Sequence, residues 1–251
     1  MFRPDVIDLR EFYATPLGQA ARRLVRRRIR AIWPQLTNLR LLGLGYATPY
    51  LRPFRDEVER TLAVMPALQG VVHWPDDGAG LVALAEETEL PFPDASLDRV
   101  LVIHGLEHGE NARALLAEAW RVLTPTGRLL AVVPNRAGLW ARFEATPFGQ
   151  GLAYTPRQLS RVLRDARFSP IQSATALYLP PTQRRMFMRT AAWWENVGLR
   201  FWPHFAGVLL AEAEKQVYAP TGLRQAVRQR QREPALTPAP ARTTMRMTSE
   251  V

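Results

Sequence analysis

The spacing of hydrophobic positions changes near residue 38. Before that point apolar residues recur at helical spacing, which predicts two N-terminal helices over residues 5–13 and 16–33. The apolar face of the second helix comprises Leu17, Ala20, Ala21, Leu24, Val25, Ile29 and Ile32. A helix with one apolar face packs that face on a core, so these helices are expected to form an arm that covers residues 1–36.

After residue 38 short apolar runs alternate with helical patterns. The runs predict strands at 39–45, 70–74, 99–103, 128–133, 171–179 and 207–218. The helical patterns cover 48–63, 111–123, 155–166 and 182–201. Strands that alternate with helices are typical of an α/β fold with a doubly wound, mostly parallel sheet, and we expect residues 37–222 to form it.

Two segments depart from this alternation. Residues 136–154 are rich in aromatic residues, Gly and Pro, and the helix over 182–201 carries Trp193 and Trp194. We expect the two to form an inserted lid and a substrate wall. From about residue 224 the chain has no apolar period, which predicts a disordered basic tail over 223–251 that folding does not need.

The net charge of +10 lies mainly in the two ends of the chain. Residues 1–30 carry eight arginines against three acidic residues, and residues 224–251 carry six against two. Because the rest is close to neutral, nucleic acid is an unlikely partner. The polar face of the second helix, with Arg22, Arg23, Arg26, Arg27 and Arg30, could face solvent, an acidic protein partner or an anionic membrane surface.

Composition removes several other classes. The chain has no cysteine, which excludes disulfides and thiolate metal sites, and no metal site is predicted. No signal peptide or membrane-spanning run is evident, so a cytoplasmic location is expected. Lys215 is the single lysine, which indicates a GC-rich genome and a bacterial source.

Four segments should meet where parallel strands end, the edge at which such sheets bind ligands. They are Gly43-Leu-Gly-Tyr-Ala-Thr-Pro49, Glu86-Glu-Thr-Glu-Leu-Pro-Phe-Pro-Asp-Ala-Ser-Leu-Asp98, Ile103-His-Gly-Leu-Glu-His108 and Leu123-Thr-Pro-Thr-Gly-Arg-Leu-Leu-Ala-Val-Val-Pro134. In order and spacing they closely resemble the class I, Rossmann-like methyltransferases of the methyltransferase-11 type. The resemblance covers roughly residues 39–180 and implies a seven-stranded sheet.

The resemblance also implies a cofactor, S-adenosylmethionine, and roles by position. The residues expected at its methionine part are Gly43, Gly45, Tyr46, Ala47 and Thr48. His73 and Trp74 would lie near the ribose and adenine, and Thr88 and Glu89 beside the adenine. His104 would lie under the methionine and the sulfonium. If a general base is used, the candidates near the site are His104, His108 and Tyr154.

Two carboxylates of the family pattern are missing. The glycine motif begins with an acidic residue in the family, whereas here it reads Gly43, Gly45, Ala47 and Pro49. His73 and Trp74 stand where the family has an acid for the ribose hydroxyls. This predicts weak cofactor affinity and makes Gly45 the least replaceable residue of the loop. Two functions stay open: methyl transfer to a small molecule or protein, and a catalytically degenerate binding or regulatory subunit.

Overall fold

A seven-stranded, mostly parallel sheet forms the centre of the protein, as the sequence predicts. The structure is a computed structural model that describes residues 5–107 and 112–217, apart from the side chains of residues 185, 188 and 192. The strands are β1 (Arg40–Gly45), β2 (Arg60–Pro66), β3 (Val82–Ala85), β4 (Leu97–Ile103), β5 (Leu123–Pro134), β6 (Phe168–Ala176) and β7 (Val208–Lys215). Their order is β3-β2-β1-β4-β5-β7-β6, and β7 runs antiparallel to both of its neighbours.

Helices cover both faces of this sheet. They are α1 (Val6–Ala14), α2 (Pro16–Ile32), α3 (Thr48–Leu51), α4 (Ala112–Val122), α5 (Pro156–Asp165), α6 (Arg185–Arg189) and α7 (Ala191–Phe201). Their starts follow local chemistry, since Asp5 and Thr155 each form a capping box and Thr15 caps α2 ahead of Pro16. Among the described residues, no helix has the length and apolar character that crossing a bilayer requires.

The strands alternate their side chains between two cores. On one face Leu41, Met65 and Leu101 pack with the buried faces of α1 and α2. On the other face Leu42 and Val100, with their neighbours, pack with α4 and α5. This period of two is what a β-strand imposes, and it explains why the buried parallel strands read as continuous apolar runs.

The predicted helix over 48–63 is wrong. Only Thr48–Leu51 is α-helical, a 3₁₀ turn follows at Arg52–Phe54, and the chain then enters β2. Pro53 has no N–H to donate, so a continued α-helix would lack a hydrogen bond at this position. The predicted second strand at 70–74 is also wrong, because β2 is Arg60–Pro66 and residues 70–74 pair with no strand. β3 at Val82–Ala85 was not predicted.

Three further boundaries differ. The strand predicted over 128–133 is longer, since β5 already starts at Leu123. The single helix expected over 182–201 is two helices, α6 and α7, interrupted at Thr190. β6 ends at Ala176, because Leu177 has a positive φ of 71°. The predicted tail over 223–251 lies outside the described residues, and the three domain boundaries remain predictions.

Glu212 ties α2 to the antiparallel edge of the sheet. This carboxylate is fully buried on β7. It accepts hydrogen bonds from Trp33 Nε1 at 2.9 Å, Gln172 Nε2 at 2.7 Å and Arg128 Nη1 at 3.4 Å. The N-terminal arm is therefore part of the packed core, since residues from α2, β5 and β6 share this one acceptor.

Asp98 joins the starts of three strands, and its loss should destabilise the fold. Its Oδ2 accepts from both N and Nε of Arg40 at 3.0 Å, and its Oδ1 accepts from Thr124 Oγ1 at 3.4 Å. Burial by itself would raise the pKa of Asp98, but the hydrogen bonds from Arg40 outweigh burial and lower it. We expect Asp98→Asn to lower the free energy of unfolding by about 2 kcal/mol at pH 7.

Urea unfolding at pH 7 and pH 3 tests this prediction. A depressed folded-state pKa contributes stability above the unfolded-state value of about 3.9, and the contribution is lost as pH falls through the folded-state value. The difference between Asp98→Asn and the parent should therefore shrink at pH 3. Asp56→Asn, at an exposed carboxylate, is the control and should change stability by less than about 0.5 kcal/mol. A pH-independent difference would contradict the role of the charge.

Candidate active site

The strand order reverses between β1 and β4, which places a crevice at their carboxyl ends. Gly45 and Ile103 are paired as the last residues of these strands. Gly45 has a φ of +77° and His104 a φ of +55°. Positive φ at a residue with a side chain costs about 1–2 kcal/mol, and such residues concentrate at functional sites. His104 therefore occupies the centre of the crevice in a strained backbone conformation.

The glycines of the first loop are used for contacts within the protein. A Cβ on Gly45 would meet the carbonyl oxygen of Ile103 and backbone atoms of His104 and Gly105. A Cβ on Gly43 would meet the side chains of Leu51 at 2.7 Å and Ala47 at 2.8 Å. At Gly45, glycine allows the loops after β1 and β4 to approach closely. Contacts within the protein thus account for both glycines without any ligand.

Tyr13 of α1 covers these strand ends. Its hydroxyl lies 2.8 Å from the hydroxyl of Tyr50 and 2.8 Å from Nε2 of His104. Its ring stacks on Tyr46, with centroids 5.8 Å apart. Burial raises the pKa of both Tyr13 and Tyr50, so their hydroxyls stay neutral and can donate. His104 is therefore held from above by a residue of the N-terminal arm.

Within the described part of the chain, two buried side chains beside His104 have acceptor oxygens without hydrogen-bond partners. Glu107 is 1% exposed, its Oε1 lies 3.6 Å from His104 Nδ1, and neither carboxylate oxygen has a hydrogen-bond partner among residues 5–107 and 112–217. Gln69, which follows β2, is also 1% exposed. Its Nε2 donates to the carbonyl oxygen of His104 at 3.4 Å, while its Oε1 has no partner. A buried acceptor left unpaired costs about 1–3 kcal/mol, so this arrangement suits a ligand that brings donors or positive charge.

A cavity of about 900 Å³ lies beside Tyr13, between α1, α3 and the segment after Gln69. Four residues predicted to bind the cofactor line it, namely Tyr46, Thr48, His73 and Trp74. Gly43, Gly45, Ala47 and His104 lie buried at the strand ends. The cavity and the strand ends together form the candidate site, and Tyr13 and Tyr46 are common to both.

Comparison with known proteins agrees with this geometry. Residues 43–131 match the family model described as a methyltransferase domain. The chain contains a class I methyltransferase domain. A curated relative, the demethylmenaquinone methyltransferase of Beutenbergia cavernae, is 31% identical over 125 residues, which are 46% of this chain and 48% of the relative. The chain thus spans about half the length of that relative.

Solved structures extend the similarity to most of the methyltransferase domain. A methyltransferase in complex with the Trm112 activator of Haloferax volcanii has a TM-score of 0.59 and 17% identity, covering 84% of this chain and 98% of that one. The 1,6-didemethyltoxoflavin-N1-methyltransferase of Burkholderia thailandensis, solved with S-adenosylhomocysteine, has a TM-score of 0.50 and 18% identity, covering 80% and 79%. At these identities the structures show the shared fold alone.

Thr88, Glu89 and Tyr154 do not line the cavity beside Tyr13. Thr88 is exposed, and Glu89 lines a separate shallow groove with Glu118 and Arg121. Tyr154 is buried, its hydroxyl donates to the carbonyl oxygen of Leu106 at 2.7 Å, and burial raises its pKa to about 12. His108 lies outside the described residues. A part for these four residues in binding or catalysis remains a prediction.

The two aromatic segments differ in burial, and their part as a lid and a substrate wall remains a prediction. Trp140 and Phe148 are buried, and Trp140 Nε1 donates to the carbonyl oxygen of Leu179 at 2.6 Å. Trp193 is 56% exposed, and Phe201 is 64% exposed. The first segment therefore contributes core packing, whereas α7 presents aromatic rings to solvent.

Three residues of the crevice, Glu107, Gln69 and Tyr13, were not predicted from the sequence. Glu107 belongs to the stretch after β4 that carries the family resemblance, so the resemblance could have drawn attention to it. Gln69 was missed because the second strand was placed at 70–74, whereas the apolar run Thr61-Leu-Ala-Val-Met65 marks the true strand. Tyr13 gives no signal in the sequence, since its place depends on how α1 docks on the sheet.

Proposed function

We propose that this domain is an S-adenosylmethionine-dependent methyltransferase that acts on a small molecule. The observation that carries the proposal is the set of unpaired buried acceptors on Gln69 and Glu107, at the ends of β2 and β4 beside the switch point. The class I fold and the neighbour solved with S-adenosylhomocysteine support the choice of cofactor. A cavity of about 900 Å³ is of the size that encloses a small ligand, which favours a small-molecule acceptor over a protein.

The acceptors fit the chemistry of this cofactor. S-adenosylmethionine carries ribose hydroxyls, which can donate, and an ammonium and a sulfonium, which are positive. Gln69 Oε1 would accept from a ribose hydroxyl, and the Glu107 carboxylate would offset positive charge next to His104. When bound, the cofactor supplies an electrophilic methyl group. Gly43, Gly45, Tyr46, Ala47 and Thr48 keep their proposed place beside the methionine part.

The chain's own residues would exclude water and hold a proton. Tyr13 and Tyr46 cover the crevice with stacked rings, and the Phe148 ring lies 5.0 Å from the His104 ring, measured between centroids. His104 Nε2 shares a hydrogen bond with the Tyr13 hydroxyl, which fixes the orientation of the imidazole. Methyl transfer depends chiefly on positioning and on a dry site, and a nucleophile that must lose a proton could pass it to His104 Nε2.

The expected affinity is weak because the ribose position holds an amide. In the family, the acid that binds the ribose lies at the end of the second strand. Because β2 ends at Pro66, the matching residues are Ala67, Leu68 and Gln69 and not His73 and Trp74. None of the three is acidic. A hydrogen bond to a charged group contributes about 1.5–3 kcal/mol, against about 0.5–1.5 for a neutral one. Replacing one charged acceptor with a neutral one therefore weakens binding roughly tenfold.

Calorimetric titration with S-adenosylmethionine and S-adenosylhomocysteine tests the proposal. We expect both to bind, and Glu107→Gln to weaken S-adenosylmethionine about tenfold and S-adenosylhomocysteine less, because only the first carries the sulfonium charge. The unfolding midpoint of Glu107→Gln should stay equal or rise, since the substitution removes an unpaired buried charge.

Glu86→Gln is the matched control, because Glu86 is an exposed glutamate near the end of β3. It should leave both affinities unchanged. Equal affinity of Glu107→Gln and the parent for both ligands would contradict the assignment of Glu107. No heat with either ligand at millimolar concentration would instead favour the alternative function, a binding subunit without turnover.

A protein partner that binds α2 remains a proposal. The surface available to it is smaller than the five arginines of the sequence suggested. Arg30 pairs with Glu57 at 2.7 Å, and Arg28 Nε donates to the carbonyl oxygen of Thr175 at 3.1 Å. Arg23 and Arg27 are the exposed arginines of this helix. The neighbour from Haloferax volcanii is in complex with an activator, which motivates testing these two residues in a search for a partner.

A further inference from the structure

Arginines from three elements surround the cavity beside Tyr13. Arg10 of α1, Arg22 of α2 and Arg52 of the turn after α3 all line it. Arg26 lies one helical turn after Arg22, and its pKa is lowered by burial and by repulsion from Arg22 and Arg52. The guanidinium groups are therefore close enough to repel one another. Arg10 and Arg52 are exposed at the rim, and Arg22 reaches further in.

Within residues 5–107 and 112–217, no ion pair compensates these charges. Other arginines nearby do have ion-pair partners, because Arg30 pairs with Glu57 and Arg55 pairs with Asp77. Of the described residues that line the cavity, one is acidic, Asp76. Nε of Arg22 is buried and has no hydrogen-bond acceptor. A buried charged donor without an acceptor is costly, and the three uncompensated guanidinium groups that line the cavity favour an anionic ligand there.

Aromatic residues line the same cavity. They are Tyr46 and Trp74, and Thr48 and His73 lie beside them in the lining. Burial raises the pKa of Tyr46 to about 12 although Arg10 and Arg22 act to lower it, so Tyr46 stays neutral and does not serve as their counter-ion. Aromatic faces suit an apolar or planar body, while guanidinium forks suit a carboxylate or phosphate. The lining as a whole therefore suits a ligand with both features.

We propose that this cavity binds a small molecule bearing a carboxylate or phosphate group, held by Arg22 with Arg10 and Arg52, and that this molecule is the methyl acceptor. The assignment as acceptor rests on the proposed function. Three arginines against one aspartate repel the positive sulfonium of the methyl donor, whereas they attract an anionic acceptor. The cofactor's own carboxylate has the same chemistry as the proposed ligand, and the experiment separates the two sources.

The test is titration of the full chain with benzoate and inorganic pyrophosphate as anion probes, and with S-adenosylhomocysteine and 5′-methylthioadenosine as cofactor probes. We expect at least one anion to bind the parent and Arg22→Gln to weaken it tenfold or more, as loss of a charged hydrogen bond predicts. Arg22→Lys should restore part of the affinity, since it keeps the charge but not the fork. S-adenosylhomocysteine should bind Arg22→Gln and the parent equally.

Arg23→Gln is the control on the same helix, because Arg23 is exposed and does not line the cavity. Unfolding of each variant is measured alongside, and Arg22→Gln should be as stable as the parent or more so. Equal weakening by Arg23→Gln would assign the effect to general surface charge and overturn the proposal. So would the absence of heat with every anion probe at millimolar concentration.

Two further outcomes distinguish this proposal from the proposed function. If Arg22→Gln weakens S-adenosylhomocysteine but not 5′-methylthioadenosine, which lacks the carboxylate, then Arg22 holds the cofactor and the acceptor assignment is overturned. If the parent binds an anion but neither cofactor probe, methyl transfer fails and the acceptor assignment fails with it, while the anion site itself stands.

Discussion

Replacing Gly45 with alanine is expected to lower the free energy of unfolding by about 2–5 kcal/mol. Two costs combine: about 1–2 kcal/mol for a side chain at a φ of +77°, and about 1–3 kcal/mol for overpacking against rigid backbone. The new Cβ would meet the carbonyl oxygen of Ile103, so β1 and β4 would have to separate at the crevice. Urea unfolding measures the loss, and ligand binding should fall with it.

Gly78 offers a matched control for this prediction. It also has a positive φ, of 96°, but a Cβ there would meet nothing within 4 Å. Gly78→Ala should therefore cost only the backbone term of about 1–2 kcal/mol. Equal costs at the two glycines would show that the contact with β4 is unimportant. In that case Gly45 would be needed for the close approach of a ligand, as the sequence suggested.

Truncating Tyr13 should have an effect of similar size, because this ring holds α1 on the site. Tyr13→Ala removes a fully buried aromatic ring, which costs about 3–5 kcal/mol, and it uncovers His104. Tyr13→Phe keeps the ring and leaves His104 Nε2 without its partner, which should cost about 1–3 kcal/mol. Thermal unfolding and titration with S-adenosylhomocysteine provide the two measurements.

Tyr178→Phe serves as the control for loss of a hydroxyl. Tyr178 is also buried, and its hydroxyl lies 2.8 Å from Thr175 Oγ1, within the β6 region. This substitution should reduce stability without changing the affinity for S-adenosylhomocysteine. If Tyr178→Phe and Tyr13→Phe weaken binding equally, the effect comes from loss of stability and Tyr13 has no particular part in the site.

The central strands could be predicted because local pattern and tertiary role agree there. Residues 99–103 and 128–133 are continuous apolar runs, and they lie in the buried middle of the sheet as β4 and β5. β2 was misplaced because residues 48–63 read as helical and 70–74 as extended, although the residues that pair with β1 on this side are Arg60–Val64. Strand pairing is a non-local choice, and local propensity does not determine it.

The site was predictable only at the level of its loops. The family resemblance indicated the loops after β1 and β4, and these do meet at the switch point. It did not indicate Tyr13 or Arg22, because both reach the site through the docking of helices outside the matched segment. Thr88 and Glu89 follow the short edge strand β3, and their lack of burial depends on packing that the residue pattern does not encode.

The bond between Trp33 and Glu212 has a consequence for biosynthesis. The two residues are 179 positions apart, yet Glu212 is an acceptor for the Trp33 indole in the core. Because a protein is synthesised from its N-terminus, the Trp33 indole after α2 stays without this acceptor until β7 has been made. Late contacts of this kind slow folding and prolong exposure of apolar surface. Nascent chains that end before Glu212 should therefore be better substrates for chaperones than the finished protein.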